Sequence, residues 1–247
     1  MARFFMAGTN LMGGTAILKG RDAEHIQVLR IKPGEKLIIS DGKGTDYMCR
    51  LIRSEDHEAE AEIIQVTPCK AEPSVSVTLF AGLPKGEKSD LIVQKGTEAG
   101  ANGIVLFDCE RCVARPKEKS LDNKLQRWER IAESAAQQSG RGIIAGFIHE
   151  KLCVGLMLDA ALKTDAKLFM YEAGDGRLPL NQAIEAAGEF SSAAVITGPE
   201  GGFTEAEAAM ARGCGFSVCA MGERILRCET APLIALTAIM YATGNLA

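Results

Sequence analysis

Residues 196–202 read Ile-Thr-Gly-Pro-Glu-Gly-Gly, a stretch of main chain almost bare of side chains. An apolar run over 193–196 leads in, and Phe203, Thr204 and an acidic helical segment follow. This pattern predicts a strand that ends in a loop and restarts as a helix. Gly198, Gly201 and Gly202 leave no Cβ in the way of a ligand lying against the backbone, and Pro199 stiffens the turn. A tight structural turn is the plainer reading of the same residues.

Around that loop the chain divides by pattern. Residues 35–40, 46–53 and 60–66 read as strands, with a hairpin-type turn at Asp41-Gly-Lys-Gly44. A short helix is expected over 25–30 and a linker over 68–73. The first 70 residues are therefore expected to form a small barrel or meander. From residue 71 strands and helices alternate, which implies a parallel sheet. Strands are expected over 75–81, 103–107, 166–171, 193–197 and 216–221, and helices over 89–99, 121–138, 180–187, 204–212 and 233–242. Thr204-Glu-Ala-Glu207 is a capping-box pattern, and Thr230 is the expected cap of the last helix, with Pro232 in its first turn. That helix is apolar almost all round, so burial against the sheet or a second subunit is expected. Trp128, on an amphipathic helix, is expected in the core.

Composition excludes several classes. A content of 47% hydrophobic and 24% charged residues over 247 positions is ordinary for a soluble domain or two. No apolar run approaches a membrane span, and the N-terminus lacks a signal-peptide core, so a cytoplasmic location is expected. The eight cysteines read as reduced thiols. Cys109-Glu-Arg-Cys112 is half of a zinc pattern without its second half, so no metal site is expected. Net charge is −4, but Arg111, Arg115, Lys117 and Lys119 crowd together; they form either a phosphate-binding patch or a solvated loop. No dinucleotide fingerprint and no Walker motif is present. Three loops would share the carboxyl edge of the sheet, where open α/β sheets bind ligands: 171–174, 198–202 and 221–230.

At these residues a resemblance emerges. Gly198-Pro-Glu-Gly-Gly202, Met221-Gly222 and Arg224-Ile-Leu-Arg-x-Glu-Thr-Ala231 resemble the signature of the ribosomal small-subunit methyltransferase E family, of the SPOUT class. His25-x-x-Val-Leu-Arg30, Asp41-Gly42, Lys85-Gly-x-Lys88, Gln94-Lys-x-Thr-Glu-x-Gly100 and the block from Arg127-Trp128 to Arg141 are similar to that family as well. The match departs at Ala99, Ala101, Met221 and 144–146, none a polar site residue.

The resemblance implies an α/β fold, a SPOUT-type trefoil-knotted parallel sheet domain (71–247) with an N-terminal PUA-like β-barrel domain (1–70). It implies a homodimer that uses S-adenosyl-L-methionine to methylate N3 of a uridine in 16S ribosomal RNA of the small ribosomal subunit. The cofactor would contact Tyr171, Glu172, Thr197, Gly198, Pro199, Glu200, Gly201, Gly202, Met221, Gly222, Ile225, Leu226 and Thr230. Arg227 would orient the base and stabilise negative charge on its carbonyl oxygens. Glu229 would accept the proton or fix Arg227. A plain ion pair of Glu229 with Arg227 or Arg224 is the competing assignment. Glu200 would touch cofactor or RNA, or would serve as charge at a helix N-terminus. Arg30, Lys85, Lys88, Arg111, Arg115, Lys117 and Arg141 would contact RNA phosphates. A non-catalytic RNA-binding assembly factor, or a small-molecule enzyme with a nucleotide cofactor, are the alternative functions.

Overall fold

Alternating apolar residues and a mostly parallel strand pattern give the chain two different sheets. The computed structural model describes residues 1–6, 11–113, 118–148 and 162–246. It resolves into two compact units: Met1–Glu72 with Glu133–Ile144, and Pro73–Ala132 with Ala145–Ala247. Among the described residues, no helix is long and apolar enough to cross a membrane.

The first unit is a six-stranded sheet in the order β1-β4-β5-β6-β3-β2, built from β1 (Arg3–Phe5), β2 (Leu11–Met12), β3 (Thr15–Lys19), β4 (Lys36–Ser40), β5 (Thr45–Ser54) and β6 (Glu58–Pro68). β1 pairs parallel with β4, and the other pairs are antiparallel. The register of β5 against β6 shifts at Met48/Cys49 and at Leu51/Arg53. Such irregularities bend a strand and increase its twist, which curls the sheet around Phe4, Leu18, Ile26, Leu37, Ile39 and Leu51. The order of strands leaves β1 and β2 as edges, so the sheet is a curled half-barrel. The expected turn at Asp41 is present: its Oδ1 accepts from the N–H groups of Lys43 (2.8 Å) and Thr45 (3.0 Å), an Asx-type arrangement.

Helix α1 covers Arg21–Val28, earlier than the expected 25–30. Its end explains the shift. The Arg30 N–H donates to the Gln27 carbonyl and the Ile31 N–H to the Ile26 carbonyl, the double hydrogen bond of a Schellman C-cap. Arg30 therefore lies past the helix, and it is the one non-glycine among the described residues with positive φ (56°). A side chain in that conformation is strained.

Glu133–Ile144 joins this unit through the Gly142 carbonyl, which accepts from Ser40 Oγ and the Gly44 N–H, and through one acidic side chain. Glu72 accepts from Arg141 Nη2 at 2.7 Å and from the N–H groups of Gly142 (2.8 Å) and Ile143 (2.9 Å). The Arg141 side chain is 2% exposed. This corrects the assignment of Arg141 to RNA, because a guanidinium enclosed with its own carboxylate has no face left for a phosphate.

The second unit carries a seven-stranded, wholly parallel sheet in the order β11-β13-β10-β12-β7-β8-β9. Its strands are β7 (Ser76–Gly82), β8 (Gly103–Phe107), β9 (Gly146–Ile148), β10 (Ala166–Met170), β11 (Leu178–Pro179), β12 (Ser192–Thr197) and β13 (Ser217–Ala220). The central strands β10, β12 and β7 are near-continuous apolar runs, as sheets covered on both faces require. The helices are α2 (Lys88–Glu98), α3 (Glu118–Ser139), α4 (Leu180–Ala187), α5 (Glu205–Gly213) and α6 (Ala231–Ala242); α3 passes from this unit into the first one's segment. Trp128 is buried, its Nε1 donating to Asp90 Oδ1 at 3.0 Å.

The capping box of α5 is present in both directions. Thr230, in contrast, makes no side-chain cap. It already has right-handed helical dihedrals, and its N–H closes a turn onto the Arg227 carbonyl at 2.9 Å, whereas a capping side chain needs an extended backbone. Helix α6 buries Ala235, Leu236, Ile239 and Met240 against β7, β12 and α2, while Ile234 and Tyr241 stay exposed.

Two stability outcomes are expected. Arg30→Gly raises the unfolding free energy by about 0.5–1 kcal/mol, by relieving the left-handed strain less the entropy cost of glycine. Glu72→Ala lowers it by about 3–5 kcal/mol, because it strands the buried Arg141 charge. Urea denaturation of the two variants beside the parent checks both.

Candidate active site

The carboxyl ends of β10, β12 and β13 open into one cavity of about 440 Å³. Its walls are the three loops that follow those strands, with Lys88 of α2 at one side. The sequence therefore brings together what parallel strands must: segments distant in the chain end at the same edge.

Main-chain close approach shapes the central loop. Gly202 has φ +65°, and a Cβ there would run into the Glu172 carboxylate. At Gly201 a Cβ would meet Arg111 Cβ at 2.8 Å and its carbonyl oxygen at 3.0 Å. Arg111 Nη1 also donates to the Gly201 carbonyl at 3.2 Å. Below the loop Phe203 is buried, its ring 4.3 Å from that of Phe169 and 6.3 Å from that of Phe107. Glu207 then ties the loop's far end down: Oε2 accepts from the Thr204 N–H and Oε1 from the Glu110 N–H.

Charges alternate beside this loop. Glu200 Oε1 accepts from the Lys85 N–H at 3.0 Å and from Lys88 Nζ at 2.8 Å. Lys88 Nζ also lies 3.7 Å from Glu229 Oε2, and Glu229 Oε1 lies 4.0 Å from Arg227 Nη1. Burial alone would raise the Glu200 and Glu229 carboxyls. Hydrogen bonds from the backbone, together with Lys88 for the first and Cys228, Lys88 and Arg227 for the second, outweigh it and hold both below the usual range. Burial pushes the Cys228 thiol up to about 12, so it stays protonated, its Sγ 3.3 Å from Glu229 Oε2. The Arg227 side chain is 82% exposed, against 13% for Glu229.

Most of the expected cofactor residues meet here. Tyr171, Glu172, Thr197, Gly198, Pro199, Glu200, Gly202, Met221, Gly222, Ile225 and Leu226 line the cavity, as does Arg227. Gly201 and Thr230 do not: Gly201 is turned toward Arg111, and Thr230 is occupied in the turn before α6. Lys88, expected on RNA, is engaged by Glu200 inside the site. Glu200 sits ahead of the α5 cap, where it anchors the loop to the start of α2. Lys85, Arg111 and Arg30 are exposed, and Arg115 and Lys117 fall outside the described residues. Arg177 was not visible in the sequence as a site residue; it lines the cavity and its Nη1 donates to the Glu172 carbonyl at 2.7 Å. Phe203 was legible only as a large aromatic directly after two glycines.

Residues 71–240 match the family described as RNA methyltransferase domain, and residues 18–64 match the RNA methyltransferase PUA domain. The chain is 33% identical over 250 residues to ribosomal RNA small subunit methyltransferase E of Bacillus subtilis, covering 98% of this chain and 97% of that one. Identity to the Mycobacterium bovis protein of the same name is 30% over 240 residues, covering 94% and 88%. The crystal structure of a ribosomal RNA small subunit methyltransferase E from Neisseria gonorrhoeae bound to S-adenosyl methionine has a TM-score of 0.82 at 31% identity, covering 98% of both chains. Fold and site together define an RNA methyltransferase domain accompanied by its PUA domain. Within that class, the chain belongs to the ribosomal RNA small subunit methyltransferase E family.

Gly202→Ala is expected to lose about 1–3 kcal/mol of stability from its left-handed backbone, and more where the Glu172 carboxylate cannot withdraw. Chemical denaturation beside Gly213→Ala, where a Cβ meets nothing within 4 Å, separates the loop's constraint from a general effect of the substitution.

Proposed function

We propose that this chain transfers a methyl group from S-adenosyl-L-methionine to N3 of a uridine in 16S ribosomal RNA of the small ribosomal subunit. It acts as a cytoplasmic homodimer, with the 198–202 and 221–230 loops forming part of a trefoil knot. The observation that carries the reading is a glycine-walled cavity with an exposed guanidinium, Arg227, on its lining.

The residues present suit that cofactor. A cavity of this volume is in the range for a nucleotide-sized ligand. The Gly198 and Gly222 backbones give close approach, Ile225 and Leu226 give apolar contact, and Glu172 and Glu200 supply negative charge toward a cationic ligand. When bound, the cofactor supplies an electrophilic methyl carbon whose bonding pair returns to sulfur. The protein's own work is positional. It must hold N3 in line with that carbon, which lowers the barrier by pre-organisation. Arg227 draws the uracil carbonyl oxygens to it and stabilises the charge that develops as N3 gives up its proton. Glu229, held ionised below the ordinary carboxyl range, is a poor proton acceptor; it orients Arg227, and the proton leaves to water at the open mouth. Lys85, Arg111, Arg115, Lys117 and Arg30 attract the RNA backbone. The exposed Ile234 and Tyr241 on α6 support a subunit contact there.

Arg227→Ala is expected to bind S-adenosylmethionine with parental affinity by calorimetry, and to transfer labelled methyl to small-subunit RNA about 10²–10³-fold more slowly. Transfer at the parental rate would remove Arg227 from the chemistry.

A further inference from the structure

Lys88 is the first residue of α2. A cation at a helix N-terminus faces the positive end of the dipole, the unfavourable end for it. Two carboxylates offset this. Glu200 Oε1 is 2.8 Å from its Nζ and Glu229 Oε2 is 3.7 Å away. Those carboxylates stand on different loops, one on the glycine turn after β12 and the other on the segment that bears Arg227. The two oxygens of Glu229 divide their work, Oε2 toward Lys88 and Oε1 toward Arg227. The result is an alternating chain, Glu200–Lys88–Glu229–Arg227, in which Glu229, itself outside the cavity lining, links two cations that line it.

We propose that Lys88 is a positioning residue for methyl transfer: its ammonium ties the glycine turn to the Arg227 segment and sets Arg227 through Glu229. This rests on the methyltransferase reading above. Lys88 is not the glycine turn's sole hold, because Glu200 also keeps the Lys85 N–H at 3.0 Å, and the close approach at Gly202 and the buried Phe203 fix the turn as well. Its loss falls on Glu229. Without the ammonium, Glu229 is left with Arg227 at 4.0 Å and the Cys228 thiol at 3.3 Å as its side-chain partners. Glu172, Arg177, Glu223 and Arg224 are the other charged side chains lining the cavity. Arg227 is then free to follow whichever carboxylate is ionised.

The test compares Lys88→Met, Lys88→Arg, Glu229→Gln and the Lys88→Met/Glu229→Gln double variant in methyl transfer to small ribosomal subunits. Calorimetric titration with S-adenosylmethionine runs alongside. Lys88→Met is expected to lower kcat about 10- to 100-fold, with cofactor affinity changed less than about threefold, within the scale of one partly exposed ion pair. Its kcat falls off at higher pH on the acid side than the parent's, because loss of Lys88 removes one of the contacts that hold the Glu229 carboxyl down. Lys88→Arg restores most of the rate. The double variant is no slower than the slower single one, because the two residues act as a unit. An unshifted pH profile in Lys88→Met, or additive effects in the double variant, overturns the proposal. Failure of the parent protein to bind the cofactor or methylate RNA would instead overturn the methyltransferase reading.

Discussion

Close approach of bare main chain at the carboxyl edge of the parallel sheet is the constraint on which the second unit turns. Gly201 lets the Arg111 segment lie against it, and Gly202 lets the Glu172 carboxylate do the same. Arg111 follows β8, Glu172 follows β10, and the glycines follow β12. Three strand ends are thus gathered by contacts that any Cβ would break. Phe203 works from beneath: its ring between Phe107 and Phe169 fixes the depth of the turn in the core. Cavity shape follows from packing on one side and from the absence of side chains on the other.

Electrostatics then divides the basic residues into two kinds. Arg141 is enclosed with Glu72 and serves the architecture of the first unit. Lys88 is engaged within the site, and Arg227 is left exposed with Glu229 Oε1 4.0 Å from its Nη1. The last is the arrangement expected of a group that must change partners when substrate arrives. Glu207 shows the same economy in a structural role, since one carboxylate caps α5 and holds the Glu110 N–H of the loop after β8.

Local chemistry was readable wherever the cause was local. The capping box at Thr204 and Glu207, the Asp41 turn, the apolar strands at 193–197 and 103–107, and the glycine turn all rest on neighbours in sequence. Eleven of the cofactor residues that the family resemblance implied line the cavity, where strand ends of the parallel sheet meet at one edge. What escaped depended on partners far along the chain. Arg141 reads as one more basic residue until Glu72, some 70 positions earlier, is brought against it. Arg177 has no motif, and only folding delivers it to the cavity. Thr230 has the residue type of a cap, but the preceding turn had already committed its backbone to helical dihedrals. Arg30 was placed at the end of a short helix, whereas the hydrogen bonds at 26–31 end the helix before it.

The discontinuous first unit bears on how the chain is born. Its half-barrel occupies the first 72 residues, yet the Arg141 that neutralises Glu72 and the buried Ala135 and Ala136 arrive only after another sixty have been added. During vectorial synthesis the contacts that complete this unit cannot form until residue 144 has cleared the exit tunnel. Domains that emerge first usually finish first; here the leading unit matures only once the trailing one has begun.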